Sequence, residues 1–228
     1  MRLKSPPILH EHFNYTAGVY ASSESVYDVE QATPPPGSQV VQSFMVLGWD
    51  AYEWHDLVPS GVRAELWLSV GGLFGTDPPQ PRHSAELQID AGLALGDLTV
   101  LALRIGADAG TRGNVNYGFV LGSVRGVRGL EEARYFNWLQ AFANLELRRS
   151  FRLGERSALQ VVGFVDGAAF ESLNASGGRG GPGTALALGA GLRLVPTWLS
   201  SIAPRIDVSR VLTPEPSWFV QLGIHQYF

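Results

Sequence analysis

Few residues in this sequence have the type and spacing that enzymatic chemistry requires. There is no Gly-x-Ser-x-Gly, no His-Glu-x-x-His and no phosphate-binding loop that leads into a helix. His10-Glu11-His12 has the residue types of a metal site, but three polar residues near a terminus are more often simply solvated. The sequence therefore predicts a protein that is not an enzyme and that has no catalytic residues, no metal and no cofactor.

Pairing of a guanidinium with carboxylates has better candidates. Arg125 lies in a Gly-rich segment, and Asp166 and Glu146 lie in segments that alternate apolar and polar residues. A guanidinium and a carboxylate can share two parallel hydrogen bonds, which fix a loop in one orientation. In one arrangement Arg125 binds Asp166, with Glu146 as the second acceptor. In the other, Arg125 is solvated, and Asp166 pairs with Arg148 or Arg193.

The elements that would position these groups are strands, because apolar and polar residues alternate with a period of two along most of the chain. Residues 83–95 are the clearest example, with Leu87 and Ile89 on one face and Glu86 and Asp90 on the other. The alternation predicts strands at residues 13–21, 40–53, 62–71, 83–95, 99–108, 143–149, 159–170, 184–195, 202–212 and 217–228. The first is the weakest, so we expect nine strands, or ten if it is one.

Composition indicates where these strands lie. Charged residues make up only 17% of the chain while its mean hydropathy is +0.04, so apolar residues are spread in alternation. The apolar strand faces are almost free of charge over about 9–11 residues, the length that crosses a bilayer. A soluble β-sandwich also alternates and is the competing fold. The sequence favours an all-β fold, a transmembrane antiparallel β-barrel of about 8–10 strands with the lipid bilayer as its partner.

The chain divides into an amino-terminal segment, residues 1–37, which can include one strand, and a barrel domain at residues 38–228. Residues 1–4 look like the start of a signal peptide, but no apolar stretch follows them. Cysteine is absent, so disulfides and thiolate metal sites are excluded. The net charge of −4, with no basic run, argues against a nucleic-acid partner.

The last predicted strand ends on an aromatic residue. Gln221, Gly223 and Phe228 resemble the carboxy-terminal β-signal of bacterial outer-membrane proteins, whereas Gln226 stands where an apolar residue is usual. The resemblance implies recognition of this strand by the barrel assembly machinery and a location in the bacterial cell outer membrane.

A loop motif carries a second resemblance. In residues 116–127, Val124-Arg125-Gly126 resembles the Val-Arg-Gly-aromatic motif of the outer-membrane assembly and translocation superfamily, which includes BamA, TamA and two-partner-secretion transporters. Val127 replaces the usual aromatic residue, and Arg128-Gly129 is a second Arg-Gly pair, shifted by three residues. Residues 164–167 are similar to the family's Phe-x-Asp-x-Gly strand. The resemblance covers residues 40–228, as the carboxy-terminal half of a family barrel.

This resemblance implies that the loop folds into the lumen and that Arg125 is held there by Asp166, with Glu146 as the second candidate partner. It also implies a role in protein insertion or translocation, although the periplasmic POTRA domains of the family have no counterpart here. The alternative is a passive small pore, or a structural or interaction barrel that keeps the fold without insertase activity. Self-association through sheet edges is a further expectation, because this chain is too short for sixteen strands.

Overall fold

The computed structural model describes residues 2–4, 12–23, 39–55, 57–74, 79–111, 118–123, 126–131, 134–174, 178–196 and 203–224. Within these ranges every regular element is a β-strand, so the predicted all-β class is confirmed. The described part of the chain contains no helix with the length and apolar character needed to span a membrane.

Each of the ten segments predicted from alternation contains a strand, including the weakest one at residues 13–21. Two further strands, Arg2–Lys4 and Phe119–Leu121, have three residues each. The described strands are β1 (Arg2–Lys4), β2 (Phe13–Ser23), β3 (Gln39–His55), β4 (Val58–Phe74), β5 (Gln80–Gly96), β6 (Thr99–Gly110), β7 (Phe119–Leu121), β8 (Tyr135–Arg152), β9 (Ser157–Leu173), β10 (Arg179–Pro196), β11 (Arg205–Thr213) and β12 (Ser217–Gly223).

Most strands extend beyond their predicted ends. β8 has 18 residues, whereas alternation indicated only residues 143–149, and β4 begins at Val58 instead of residue 62. A strand rises about 3.3 Å per residue, so 17 or 18 residues exceed what a bilayer crossing requires. The regular alternation recognised in the sequence marks only part of such a strand, and the chain continues as β-structure beyond it.

The strands form one antiparallel sheet in which sequence neighbours pair. Eleven of them follow the order β1-β2-β3-β4-β5-β6-β8-β9-β10-β11-β12, and β7 pairs with β8 beside this path. The β3–β4 register runs without interruption from Gln39 opposite Phe74 to His55 opposite Val58. Among the described residues β12 does not pair with β1 or β2, so the sheet has two free edges and is not a closed ring.

The two faces of the sheet have opposite polarity. The outer face exposes large apolar side chains along the long strands, such as Leu145, Leu188 and Val208. The inner face buries polar and charged side chains, among them Asn144 and Gln160. A soluble protein places its charged groups outside and its aliphatic groups inside, so this distribution is inverted.

The sheet is curled, because residues far apart in strand order meet on its inner face. Leu57, between β3 and β4, packs in one buried cluster with Ala158 of β9, Val195 of β10 and Ala203 just before β11. Three strands, β5, β6 and β8, lie between β4 and β9 in the sheet order. A flat sheet would hold these residues far apart at about 4.8 Å per strand, so the contact requires strong curvature.

Aromatic rings on the inner face cover glycines directly opposite them on the neighbouring strand. A side chain on any of these glycines would overlap the ring that lies there. This pairing fills the space left by the glycine and supports strand curvature. The three pairs are Phe142 with Gly106, Phe164 with Gly189, and Phe170 with Gly183.

Candidate functional site

The connection between β6 and β8 returns to the inner face of the sheet. We call residues 118–123 and 126–130 the inner loop. Its strand β7 pairs with the start of β8, and Gly122 forms a β-bridge with Gly126. Gly126 and Gly129 have φ angles of 126° and 91°. Residues other than glycine rarely adopt these φ values, so the two glycines allow the loop to turn tightly here.

Apolar side chains anchor the inner loop beneath the sheet. Leu121 and Val127 are completely buried, and they share a cluster with Phe170 of β9, Ala187 of β10 and Val211 of β11. The loop therefore contacts three strands besides β8, with which β7 pairs. This packing places the residue after Val127 at the centre of the inner face.

That residue, Arg128, is bound by two carboxylates. Its Nε and Nη2 donate to Oδ2 and Oδ1 of Asp166, both at 2.7 Å, in the two-bond geometry of a guanidinium on a carboxylate. Nη1 donates to Oε1 of Glu146 at 2.5 Å, and the backbone N–H of Arg128 donates to Oδ2 of Asp166 at 3.1 Å. All three side chains have 0% exposure. The inner loop is therefore fixed by an ion pair that water does not reach.

The cluster extends across the next strands. Glu146 also accepts hydrogen bonds from Nε of Arg148 at 2.6 Å and from Nη2 of Arg193 at 2.7 Å. Beyond them Arg205 pairs with Asp207 at 3.0 Å. Buried ions need several such partners, because losing water costs each of them several kcal/mol. The carboxylate of Glu146 thus joins the loop to β8 and β10.

Strand alternation brings these groups together. In β8 the inner positions include Asn144 and Glu146, and in β9 they include Phe164 and Asp166. The register sets Asn144 opposite Asp166 and Glu146 opposite Phe164. Two neighbouring strands therefore present both carboxylates to one point, and Asn144 adds a hydrogen bond from Nδ2 to the carbonyl oxygen of Gly126.

The ring of Phe164 lies against the same guanidinium. The Cζ atom of Arg128 is 3.5 Å from the ring centroid, which is the geometry of a cation–π contact. The ring also covers Gly189 of β10, where any side chain would overlap it. The order of contacts is therefore loop arginine, aromatic ring, glycine backbone. The glycine leaves room for the ring, and the flat ring leaves room for the guanidinium.

The inner loop also contacts the last two strands. Ser123 Oγ donates to Oε1 of Gln221 in β12 at 2.9 Å. A side chain on Gly129 would overlap Ser209 of β11 and come close to Phe219 of β12. The loop thus spans the inner face from β8 to β12.

The residues singled out from the sequence fall into three groups. Asp166 and Glu146 are carboxylate partners of a loop arginine, but that arginine is Arg128. Gly126 lies in the loop, whereas Val124 and Arg125 lie outside the described residues, so the pairing of Arg125 stays a prediction. The alternative in which Asp166 pairs with Arg148 or Arg193 differs from the geometry described, because these two arginines bind Glu146.

At the end of the chain, Gln221 points to the inner face and binds the loop, a contact that the signal motif alone does not predict. Gly223 lies opposite Arg205, whose side chain occupies the space that a larger residue at position 223 would need. Phe228 lies outside the described residues. The sequence contains one signal for Arg128 as the arginine that binds the carboxylates. It precedes Gly129 in the second Arg-Gly pair, and the loop adopts a positive φ at Gly129.

We call the buried ion cluster of Arg128, Glu146 and Asp166 the clamp. Its charges face one another, and Arg128, Glu146 and Asp166 have no exposed surface on which a substrate could bind. In the described ranges no three His, Cys, Asp or Glu residues are placed to hold a metal ion. A separate cavity of about 360 Å³ lies on the inner face of β4 and β5, lined by Arg63, Glu65, Trp67, Glu86, Gln88 and Asp90.

A scan against protein-family models finds no match for this chain, and neither does a search of the curated proteins. The resemblance to the assembly and translocation superfamily therefore stays a prediction from the motifs.

Proposed function

We propose that this protein is a small β-sheet protein of the bacterial outer membrane, similar to the BamA-like assembly and translocation superfamily, that acts in the insertion or translocation of other proteins. The observation that carries the proposal is the inverted polarity of the sheet. Leu222 of the outer face is 76% exposed, whereas Arg128, Glu146 and Asp166 of the inner side are 0% exposed.

Lipid is the environment that suits the outer face. Apolar patches on soluble proteins rarely exceed a few hundred Å², yet here exposed aliphatic side chains extend over most of the sheet. In hydrocarbon these side chains need no cover, and backbone groups within the sheet are satisfied by neighbouring strands. A soluble sandwich would need a second layer over this face.

The fixed inner loop supports the more specific part of the proposal. The motifs that resemble the superfamily fall on the residues that surround Arg128: the loop itself, and Phe164 and Asp166 of β9. The free edges of β1 and β12 support a role with other proteins, because an unpaired edge accepts a strand from another polypeptide.

A passive pore or scaffold is the second candidate. The tightly packed inner side of β8–β11 favours it, because a static barrel needs only a filled and stable interior. The two functions differ in what the free edge does. In an insertion protein the free edge would pair with a strand of another polypeptide, whereas a passive barrel has no such use for it.

Membrane embedding can be tested with neighbouring residues of one strand. The chain lacks cysteine, so single cysteines at Val208 (outer face) and Ser209 (inner face) of β11 can each carry one environment-sensitive dye. In liposomes we expect spin-labelled lipids to quench the dye at residue 208 and to leave residue 209 unquenched or unlabelled. Equal quenching at both positions, or none at either, would contradict a membrane-spanning sheet.

Activity can be tested by reconstitution. Liposomes that contain the protein are mixed with a urea-unfolded small outer-membrane barrel, and its folding is followed by heat-modifiable gel mobility. We expect faster folding than in liposomes that carry an equal amount of an unrelated, closed small barrel. Equal rates would instead support the passive candidate, and a release assay for small solutes would then test for a pore.

A further inference from the structure

The three-residue strand β1 occupies the edge of the sheet that β12 would need in order to close it. Its register sets Arg2 opposite Gly18, Leu3 opposite Ala17 and Lys4 opposite Thr16. β2 has 11 residues, so β1 covers only part of its edge. Among the described residues, the other end of the sheet, β12, pairs with β11 alone.

Strand direction decides how this sheet can close. Along the path of eleven strands every described pairing is antiparallel, so strand direction alternates from each strand to the next. The first and the last of eleven alternating strands, β1 and β12, therefore run in the same direction. β2 and β12 run in opposite directions. An antiparallel ring needs an even number of strands, so the eleven strands cannot form one, but the ten strands from β2 to β12 can.

The edges of β2 and β12 match in character as well as in direction. On the outer face, Tyr15 and Val19 of β2 and Val220 and Leu222 of β12 are exposed apolar residues. β12 also has no proline, lysine or other charged residue, which are the groups that usually prevent edge pairing. Joining the two edges would continue the outer apolar face without interruption.

From these observations we propose that β1 is an edge cap. While β1 is paired with β2, the sheet stays open at β12. When β1 leaves, β12 pairs with β2 and closes a ten-stranded antiparallel barrel. The open and closed forms thus differ by exchange of one short strand for a longer one. The inference rests on strand direction and register, and it does not require the membrane function proposed above.

The test compares three forms of the chain in detergent. The first locks the cap with a disulfide between Leu3→Cys and Ala17→Cys, which are register partners. The second lacks residues 1–4. The matched control, Ala17→Cys with Met45→Cys, joins β2 to β3 and leaves the outer edge of β2 unchanged. The native chain has no cysteine to interfere with either disulfide.

The readout is hydrogen exchange at the amides of β12 that point away from β11, together with particle mass. A new hydrogen bond of ordinary strength should slow exchange at these amides about tenfold in the truncated chain relative to the locked chain. The control should behave like the unmodified chain under the same conditions, and each form should be monomeric.

Three results would overturn the proposal. Fast exchange after truncation would mean that β2 does not accept β12. Slow exchange in the locked chain would mean that another segment already covers the edge. Slow exchange with a dimeric mass would assign the edge to a second copy. None of these outcomes depends on lipid quenching at residues 208 and 209, so failure here and failure of the membrane proposal are distinguishable.

Discussion

Replacing Arg128 by methionine tests whether the buried clamp holds the inner loop. The substitution keeps the unbranched side chain that fills the space and removes the charge. Glu146 would keep its hydrogen bonds from Arg148 and Arg193. Asp166 would lose both side-chain hydrogen bonds, each 2.7 Å long, and keep the described bond from the backbone N–H of residue 128. Asp166 is therefore the group that the change leaves uncompensated.

The expected loss follows from that one carboxylate. Breaking a buried ion pair by removing one partner costs roughly 3–5 kcal/mol of unfolding free energy. Loss of the cation–π contact with Phe164 adds about 1 kcal/mol. Asp166→Asn alone should also destabilise the protein, because it removes the carboxylate charge that accepts two hydrogen bonds from the guanidinium of Arg128. The double variant Arg128→Met with Asp166→Asn should cost less than the sum of the two by at least about 1 kcal/mol.

Urea unfolding in detergent, followed by tryptophan fluorescence, gives these free energies for a chain with six tryptophans. A loss below about 1 kcal/mol for Arg128→Met, or strict additivity in the cycle, would refute the clamp. Arg125→Met, three positions earlier in the sequence, is the comparison variant and should cost less than Arg128→Met. The reverse order of effects would favour the pairing of Arg125 expected from the motif.

Three further outcomes are expected. Gly191→Ala should lower the unfolding free energy by about 1–3 kcal/mol, because the new methyl group overlaps the carboxylate of Asp207. Gly163→Ala should not lower it, because a methyl group there would have no neighbour within 4 Å. Equal effects of the two substitutions in urea unfolding would contradict the geometry. Phe164→Leu should cost about 1–2 kcal/mol in the same assay through loss of the ring contact with the loop guanidinium, and an unchanged midpoint would show that the contact contributes nothing. Deleting Phe228 should reduce the folded protein found in membranes of an exporting cell and leave refolding in detergent unchanged, and equal losses in both would make it an ordinary packing residue.

Strand positions and facing could be predicted from the sequence because both depend on a period of two. In β8, the alternation sets Leu145 and Leu147 against Asn144 and Glu146, and the structure exposes the first pair and buries the second. Strand ends could not be predicted in this way. The chain continues as β-structure past residue 149 to Arg152, although Arg149 interrupts the apolar face there.

The acceptors of the candidate site were also predictable, because Asp166 and Glu146 lie at inner positions of adjacent strands. The identity of their donor was not. A loop has no period, so its register depends on where backbone can adopt positive φ, and both Gly126 and Gly129 do. The packing of Leu121 and Val127 under β9–β11 then selects Arg128 as the donor among described residues. The free edges depend on long-range pairing, which local patterns do not encode.

The inner loop also has a consequence for the order of folding. The clamp joins residues 38 positions apart, Arg128 and Asp166, whereas Ser123 and Gln221 are 98 positions apart. Closing the shorter loop costs less chain entropy, so a hairpin of β8 and β9 can trap the inner loop before β12 arrives. Insertion of the loop after all the strands had paired would require moving a buried arginine through a packed interior. We therefore expect a folding nucleus at β7–β9 and late consolidation of the carboxy-terminal strand.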